Sequence, residues 1–190
     1  MPIQIGRRPD HGFDEPLGLL SDCHRRIEHF LDILIAVDTQ AAGGALDAEQ
    51  RRALDGALTY FAAAAPKHTA DEEASLFPRL RASADPAAAD ALALLDALEH
   101  DHTDAQADHA QVDALVRRWL ADDRLPERDA ADLRARLARL GRLYQRHIAI
   151  EDQQLFPAAA RVLSAEQVQQ VGREMAARRR VRPRTSTFPD

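Results

Sequence analysis

Residues 68–78 read His68-Thr69-Ala70-Asp71-Glu72-Glu73-Ala74-Ser75-Leu76-Phe77-Pro78, and residues 147–157 read His147-Ile148-Ala149-Ile150-Glu151-Asp152-Gln153-Gln154-Leu155-Phe156-Pro157. Both follow H-x3-E-x3-L-F-P. On an α-helix, positions i and i+4 lie on one face, so each copy presents an imidazole beside a carboxylate. Those groups are good ligands for iron, zinc or manganese.

The residues before each copy show where that face points. Leu54, Leu58, Phe61 and Ala65 lead into His68 at three- and four-residue steps, and Leu133, Leu137, Leu140 and Tyr144 lead into His147 at the same steps. An apolar helical stripe that runs into a His/Glu pair puts the pair on the buried side of its helix. A buried carboxylate next to a buried imidazole is costly unless it is compensated. A metal ion is the simplest compensation.

A second pair of helices repeats in the same way. Leu17, Leu20, His24, Ile27, Leu31 and Leu34 form one stripe, and Leu95, Leu98, His102, Ala105, His109, Val112 and Val116 form another. His24 and His102 are 78 positions apart, and the two H-x3-E copies are 79 apart. One helical hairpin has been used twice, which predicts an all-α, antiparallel up-down-up-down four-helix bundle with internal pseudo-twofold symmetry. Counting from the short connections at 1.5 Å per residue, His24 and His68 lie roughly 25 and 30 Å from the first turn, and His102 and His147 roughly 28 and 32 Å from the second. All four histidines therefore fall in one slab and face inward, with Glu72 and Glu151 beside them.

The remaining histidines fall outside this set. His29 lies off its stripe and His100 sits about 200° round from His102, so both are expected in solvent. His11 precedes the first helix. His109 is on the seam but two turns from His102, which makes it a core or supporting residue. Tyr144 could donate a hydrogen bond into the site or simply fill the core. Asp152 lies about 100° round the helix from Glu151 and is expected to be dispensable.

Local signals divide the chain. Residues 1–13 show no periodicity and read as an N-terminal arm, 14–160 as the bundle, and 161–190 as a short C-terminal helix with a basic tail. Asp14-Glu15-Pro16 opens the first helix and Gly43-Gly44 closes it. Asp47…Gln50 and Ser164…Gln167 have capping-box spacing. Pro66 falls inside the second helix and should kink or bulge it two residues before His68. Asp85-Pro86 starts the third helix, and Asp122 to Pro126 turn into the fourth.

Composition agrees with these assignments and excludes several functions. The chain has 190 residues, 45% of them hydrophobic, only 5% aromatic, and a formal net charge of −6. That length buries a sizeable core, and the interspersed charges of the body argue against nucleic-acid binding. The cluster Arg178-Arg179-Arg180-Val181-Arg182-Pro183-Arg184 reads as a solvated flexible tail. The single cysteine, Cys23, excludes an intrachain disulfide and suits a reducing, cytoplasmic setting; next to His24 it reads as packing. No signal-peptide pattern or membrane-length apolar run is present.

These residues resemble the hemerythrin-like (HHE cation-binding) family, whose pattern is a histidine on helix one, H-x3-E on helix two, a histidine on helix three and H-x3-E on helix four. His24, His68 with Glu72, His102, and His147 with Glu151 match it over about residues 14–160. The resemblance implies a non-haem di-iron centre, two Fe ions with a bridging oxo or hydroxo, and with Glu72 and Glu151 spanning both ions. The oxygen-carrying members differ: they have H-x3-H on helix three, where this chain has Gln106, and H-x4-D on helix four, where Asp152 stands at that spacing. Ferritin-like bundles use E-x-x-H on two helices, and only Glu99 with His102 fits that pattern.

Two octahedral irons offer about twelve positions, and this ligand set with its bridge fills about ten. The open remainder suits a small diatomic or peroxide ligand. Three functions follow as alternatives: binding or sensing of oxygen, nitric oxide or iron; an enzyme that decomposes peroxide or oxidises iron; and a structural bundle with zinc or no metal. The oligomeric state is not legible.

Overall fold

The computed structural model describes residues 11–181. Among them every regular element is a helix. The first bundle helix is α1 (Pro16–Ala41). The second is interrupted: α2 (Ala48–Ala63), α3 (Ala65–Asp71), a π-helical turn at Glu72–Leu76, and α4 (Phe77–Arg81). A 3-10 turn at Pro86–Ala88 leads into α5 (Ala89–Asp122), the third bundle helix. The fourth is α6 (Glu127–Ile150), a second π turn at Glu151–Leu155, and α7 (Phe156–Val162). The fifth helix, α8 (Ala165–Arg178), lies against α1, α3 and the first π turn. The architecture is the expected all-α bundle with a short C-terminal helix.

The helix ends follow the chemistry of their residues. Asp47 accepts from the backbone N–H groups of Glu49 and Gln50 while Gln50 reaches back, and Ser164 with Gln167 does the same for α8. At the end of α1 the first left-handed residue is Ala42 (φ 46°), ahead of Gly43 (φ 77°). Gly43 is needed for space as well as conformation, since a Cβ there would lie 2.9 Å from the Ala130 Cβ and 3.1 Å from the Leu125 carbonyl. The two hairpin turns meet at this end of the bundle. Leu125 N–H donates to the Gly43 carbonyl at 2.8 Å, and the Trp119 indole N–H donates to the Gly44 carbonyl at 2.7 Å.

Pro66 interrupts the helix outright rather than only kinking it. The helix breaks at Ala64, and both Lys67 and His68 return their N–H groups to the Ala64 carbonyl. The two π turns were not anticipated. Each ends in an i→i−5 bond, Phe77 N–H to the Glu72 carbonyl and Phe156 N–H to the Glu151 carbonyl. A proline follows each, and its ring would crowd the carbonyl four residues back in a regular helix. Widening the turn relieves that contact, and it brings Leu76 with Phe77, and Leu155 with Phe156, into the interior.

The bundle has two apolar layers. One, with Ile27, Leu34, Leu54, Val116, Trp119 and Leu137, fills the half nearest the hairpin turns. The other, with Leu20, Leu76, Phe77, Leu98, Leu155, Phe156 and Met175, fills the opposite half. His24, His68, His102 and His147 lie on their helices between residues of these two layers.

The arm is tied down where it meets the bundle, and one expectation, about the basic cluster, needs correction. Of the arm, residues 1–10 lie outside the described residues, but His11–Phe13 are docked. The His11 N–H donates to buried Asp22 at 2.8 Å, and the Phe13 carbonyl crosses α8 so closely that a Cβ on Gly172 would meet it. The basic cluster is not wholly a solvated tail. Arg178 and Arg179 pair with the fully buried Asp71 at 2.7 and 2.6 Å, so they clamp α8 onto the bundle; residues 182–190 lie outside the described residues.

Candidate metal centre

All six sequence-predicted residues converge. His24 and His68 ring centroids are 4.9 Å apart, and those of His102 and His147 are 4.7 Å apart. Glu72 lies between the pairs: its Oε1 is 3.3 Å from His68 Nε2, and its Oε2 is 3.4 Å from His102 Nε2. Glu151 Oε2 lies 3.0 Å from His24 Nε2 and 3.2 Å from His147 Nε2. Two clusters result, His24–His68–Glu72–Glu151 and His102–His147–Glu151, each with its donor atoms within 4.8 Å of one another. We refer to them as the His24/His68 position and the His102/His147 position.

Both carboxylates are completely buried. All four of their oxygens lack a hydrogen bond, as do the Nε2 atoms of His24 and His102. Buried polar atoms left unpaired in such number are rare in native proteins. A pair of cations placed among them would satisfy them together, so the donor set fits metal ions.

Electrostatics point the same way. Burial pushes Glu72 up, but the imidazoles of His68, His102 and His24 outweigh it and hold its carboxyl well below the usual range. Glu151 is likewise pushed up by burial and by the charge of Glu72, yet His147 and His24 bring it below its ordinary value. Burial lowers His68 to about 4, which keeps it a neutral donor. Burial also acts to lower His24 and His102, but the surrounding carboxylates win; His24 stands well above its ordinary value and His102 is raised to about 9. A metal bound there would have to displace any proton that these two rings carry.

Outside the ring of donors stands a second set of carboxylates, which sequence reasoning missed. Asp152 Oδ1 lies 3.0 Å from His24 Nδ1 and also accepts from the Ser21 hydroxyl at 2.7 Å. Glu73 Oε1 lies 2.8 Å from His102 Nδ1. Asp101, itself held by Arg146, lies 3.4 Å from His147 Nδ1. Such partners orient a ligating imidazole and raise its basicity. The expectation that Asp152 is dispensable is thus corrected: the 100° offset that keeps it out of the centre aims it at the back of His24. The signal was available, because an acidic residue follows the repeat glutamate in both copies.

The other histidines sort as follows. His100 is exposed, whereas His29 is half-buried against Phe30, not in solvent. His109 stacks on Phe61 with centroids 4.1 Å apart, and its Nε2 lies 2.9 Å from the Tyr144 hydroxyl. Burial lowers His109 to about 4. Tyr144 is thus bonded to His109, one turn away from the donors. Cys23 is buried, as expected.

A cavity of about 320 Å³ opens onto the four site histidines from the side of the hairpin turns, bordered by Phe61, Pro66, Thr69, Gln106, His109 and Tyr144. Its origin is legible in the repeat. The first copy has Ala65, Pro66 and Thr69 where the second has Tyr144, Gln145 and Ile148. Smaller side chains and a broken helix leave space beside the first copy.

The sequence matches the hemerythrin HHE cation binding domain over residues 15–159. The chain belongs to the hemerythrin HHE family. An uncharacterized protein of Haemophilus influenzae is 28% identical over 172 residues, covering 90% of this chain and 93% of the relative. Family membership and the buried His/Glu cluster are together compatible with a metal-binding site of the di-iron type. No helix among the described residues is long and apolar enough to cross a membrane.

Proposed function

We propose that this HHE-domain protein holds two iron ions joined by an oxo or hydroxo bridge, and that it binds or senses dioxygen, nitric oxide or peroxide there. The observation that carries this reading is the cavity that reaches all four site histidines. A sealed structural site would have no use for it. At about 320 Å³ it far exceeds a diatomic molecule, so a small ligand can enter without a large rearrangement. His24 and His68 would serve one ion, His102 and His147 the other, with Glu72 and Glu151 shared. Iron bound there would supply an open coordination position and reversible one-electron chemistry.

The test is the visible absorption spectrum of aerobically purified protein together with its iron content. About two irons per chain, with a visible band that changes on adding azide or nitric oxide, is the expected result. Colourless protein holding zinc, or no metal, would leave only a structural bundle.

A second reading, decomposition of peroxide, draws support from the Tyr144–His109 pair on the cavity wall. Burial raises Tyr144 well above its ordinary value, so its hydroxyl keeps a proton within the cavity. Oxygen release from hydrogen peroxide, reduced in Tyr144→Phe at unchanged iron content, is the outcome this reading requires.

A further inference from the structure

The two metal positions do not receive equal support from the protein. At the His102/His147 position both rings are held from behind, His102 by Glu73 at 2.8 Å and His147 by Asp101 at 3.4 Å. At the His24/His68 position only His24 is held, by Asp152. His68 is buried, and its Nδ1 has no hydrogen-bond partner. The internal repeat shows what is missing. Asp101 directly precedes His102 and serves the histidine of the following H-x3-E helix. Its counterpart, directly before His24, is Cys23, whose sulfur accepts from Arg26 at 3.1 Å instead. The first copy lacks the carboxylate that the second copy has.

A second observation, independent of hydrogen bonding, points to the same ring. His147 stands near the end of the uninterrupted 24-residue helix α6. His68 stands on the seven-residue α3, between the break at Ala64 and the π turn at Glu72. The least anchored ring therefore sits on the least continuous helix.

We infer that the positions load in order, the His102/His147 position first and the His24/His68 position second, with Asp101 as the positioning residue that separates them. This rests on the metal-centre reading above and adds its regulation. A ring held in one orientation by a carboxylate pays less ordering entropy on binding and is a stronger donor. When metal is scarce the chain carries a single ion, and the paired centre forms only as supply rises. The protein would then report metal availability through its second position.

The experiment is titration of the metal-free full chain with Co(II), followed by calorimetry and visible absorption. Two steps separated by tenfold or more are expected. His147→Ala should abolish the tight step, and His68→Ala the weak one. Asp101→Asn should weaken the tight step by about 10–100-fold and leave the weak step in place. Cys23→Asp, which rebuilds the missing partner, should bring the two steps together. Far-ultraviolet circular dichroism shows that each variant keeps its helices, which separates a positioning effect from unfolding. Two equal steps in the wild type, or an Asp101→Asn variant in which the step that His68→Ala abolishes moves, would overturn the order while leaving the paired centre standing. Absence of any Co(II) binding would overturn the metal-centre reading itself.

Discussion

The two halves of the bundle differ in how they surround nearly identical donors. Each half supplies a seam histidine, an H-x3-E pair, a π turn and the Leu-Phe-Pro that closes it. Around those shared parts the surroundings differ. The first half is broken at Ala64, lined by small residues, and clamped from outside by Arg178 and Arg179. The second half is continuous, lined by Tyr144 and Ile148, and braced from within by Asp101. Chemistry constrains the donors and the turn that aims them. It leaves the access side free to differ, and that is where the cavity lies.

The sharpest way to break this comparison is to remove the shared residues. Each glutamate faces both positions, so Glu72→Ala and Glu151→Ala should each fall well below half of full metal occupancy by elemental analysis. His24→Ala removes a donor from one position and should keep about one ion per chain. Retention of both ions after loss of either glutamate would show that the two copies do not share their carboxylates.

The next effect belongs to the first half alone. Asp71 is completely buried, and its counterpart in the second copy is Ile150. Replacing Arg178 and Arg179 together by Ala strands that charge, and chemical denaturation should register a loss of about 3–5 kcal/mol. Converting Asp71 to Leu in the same background should recover most of it. No recovery would mean that the arginines act by packing.

Asp152 and Glu73 offer a finer test, since they occupy equivalent places behind His24 and His102. Asp152→Ala and Glu73→Ala should each weaken metal binding at their own position by about tenfold, with the other position unchanged. An effect from only one of them would confine the internal symmetry to the donors themselves.

The smallest effect concerns His109, whose counterpart in the first half is Leu31. Its folded value of about 4 lies below the ordinary histidine range, so the unfolded chain takes up the proton first as pH falls. Its neutral, buried form contributes fully above about pH 6.5, and that contribution is lost progressively toward pH 4, by roughly 1 kcal/mol per pH unit. In metal-free protein, His109→Gln should therefore show a shallower decline of stability over that interval than the wild type. Parallel curves would place the acid sensitivity elsewhere.

Much of this was legible before any coordinates. The stripes leading into His68 and His147 gave the helices, and the 78- and 79-residue offsets gave the bundle and the convergence of its donors. Capping residues such as Asp47 and Ser164 marked where helices begin. What escaped was whatever depends on contacts between distant segments. Nothing local about Arg178 and Arg179 reveals Asp71 across the bundle, and a helical wheel that excludes Asp152 from the centre does not show what stands behind His24. The π turns escaped for a different reason. Their cause, Pro78 and Pro157, was in plain view, but regular helical geometry was assumed through them.

Those turns make the prolines of the motif as restrictive as its donors. A π turn accommodates one more residue than an α turn over the same span. Replacing Pro78 by Ala removes the ring that crowds the carbonyl four residues back and would let a regular helix form at the same chain length, with every donor still present. Glu72 and the Leu76-Phe77 pair would then be rotated about 100° relative to each other. Either the carboxylate would leave the site or the two apolar anchors would leave the core. Five residues from Glu72 to Phe77, and five again from Glu151 to Phe156, keep donor and anchors in phase only through a widened turn. A sequence that carries the right donors without those prolines should be expected to fold without assembling the centre.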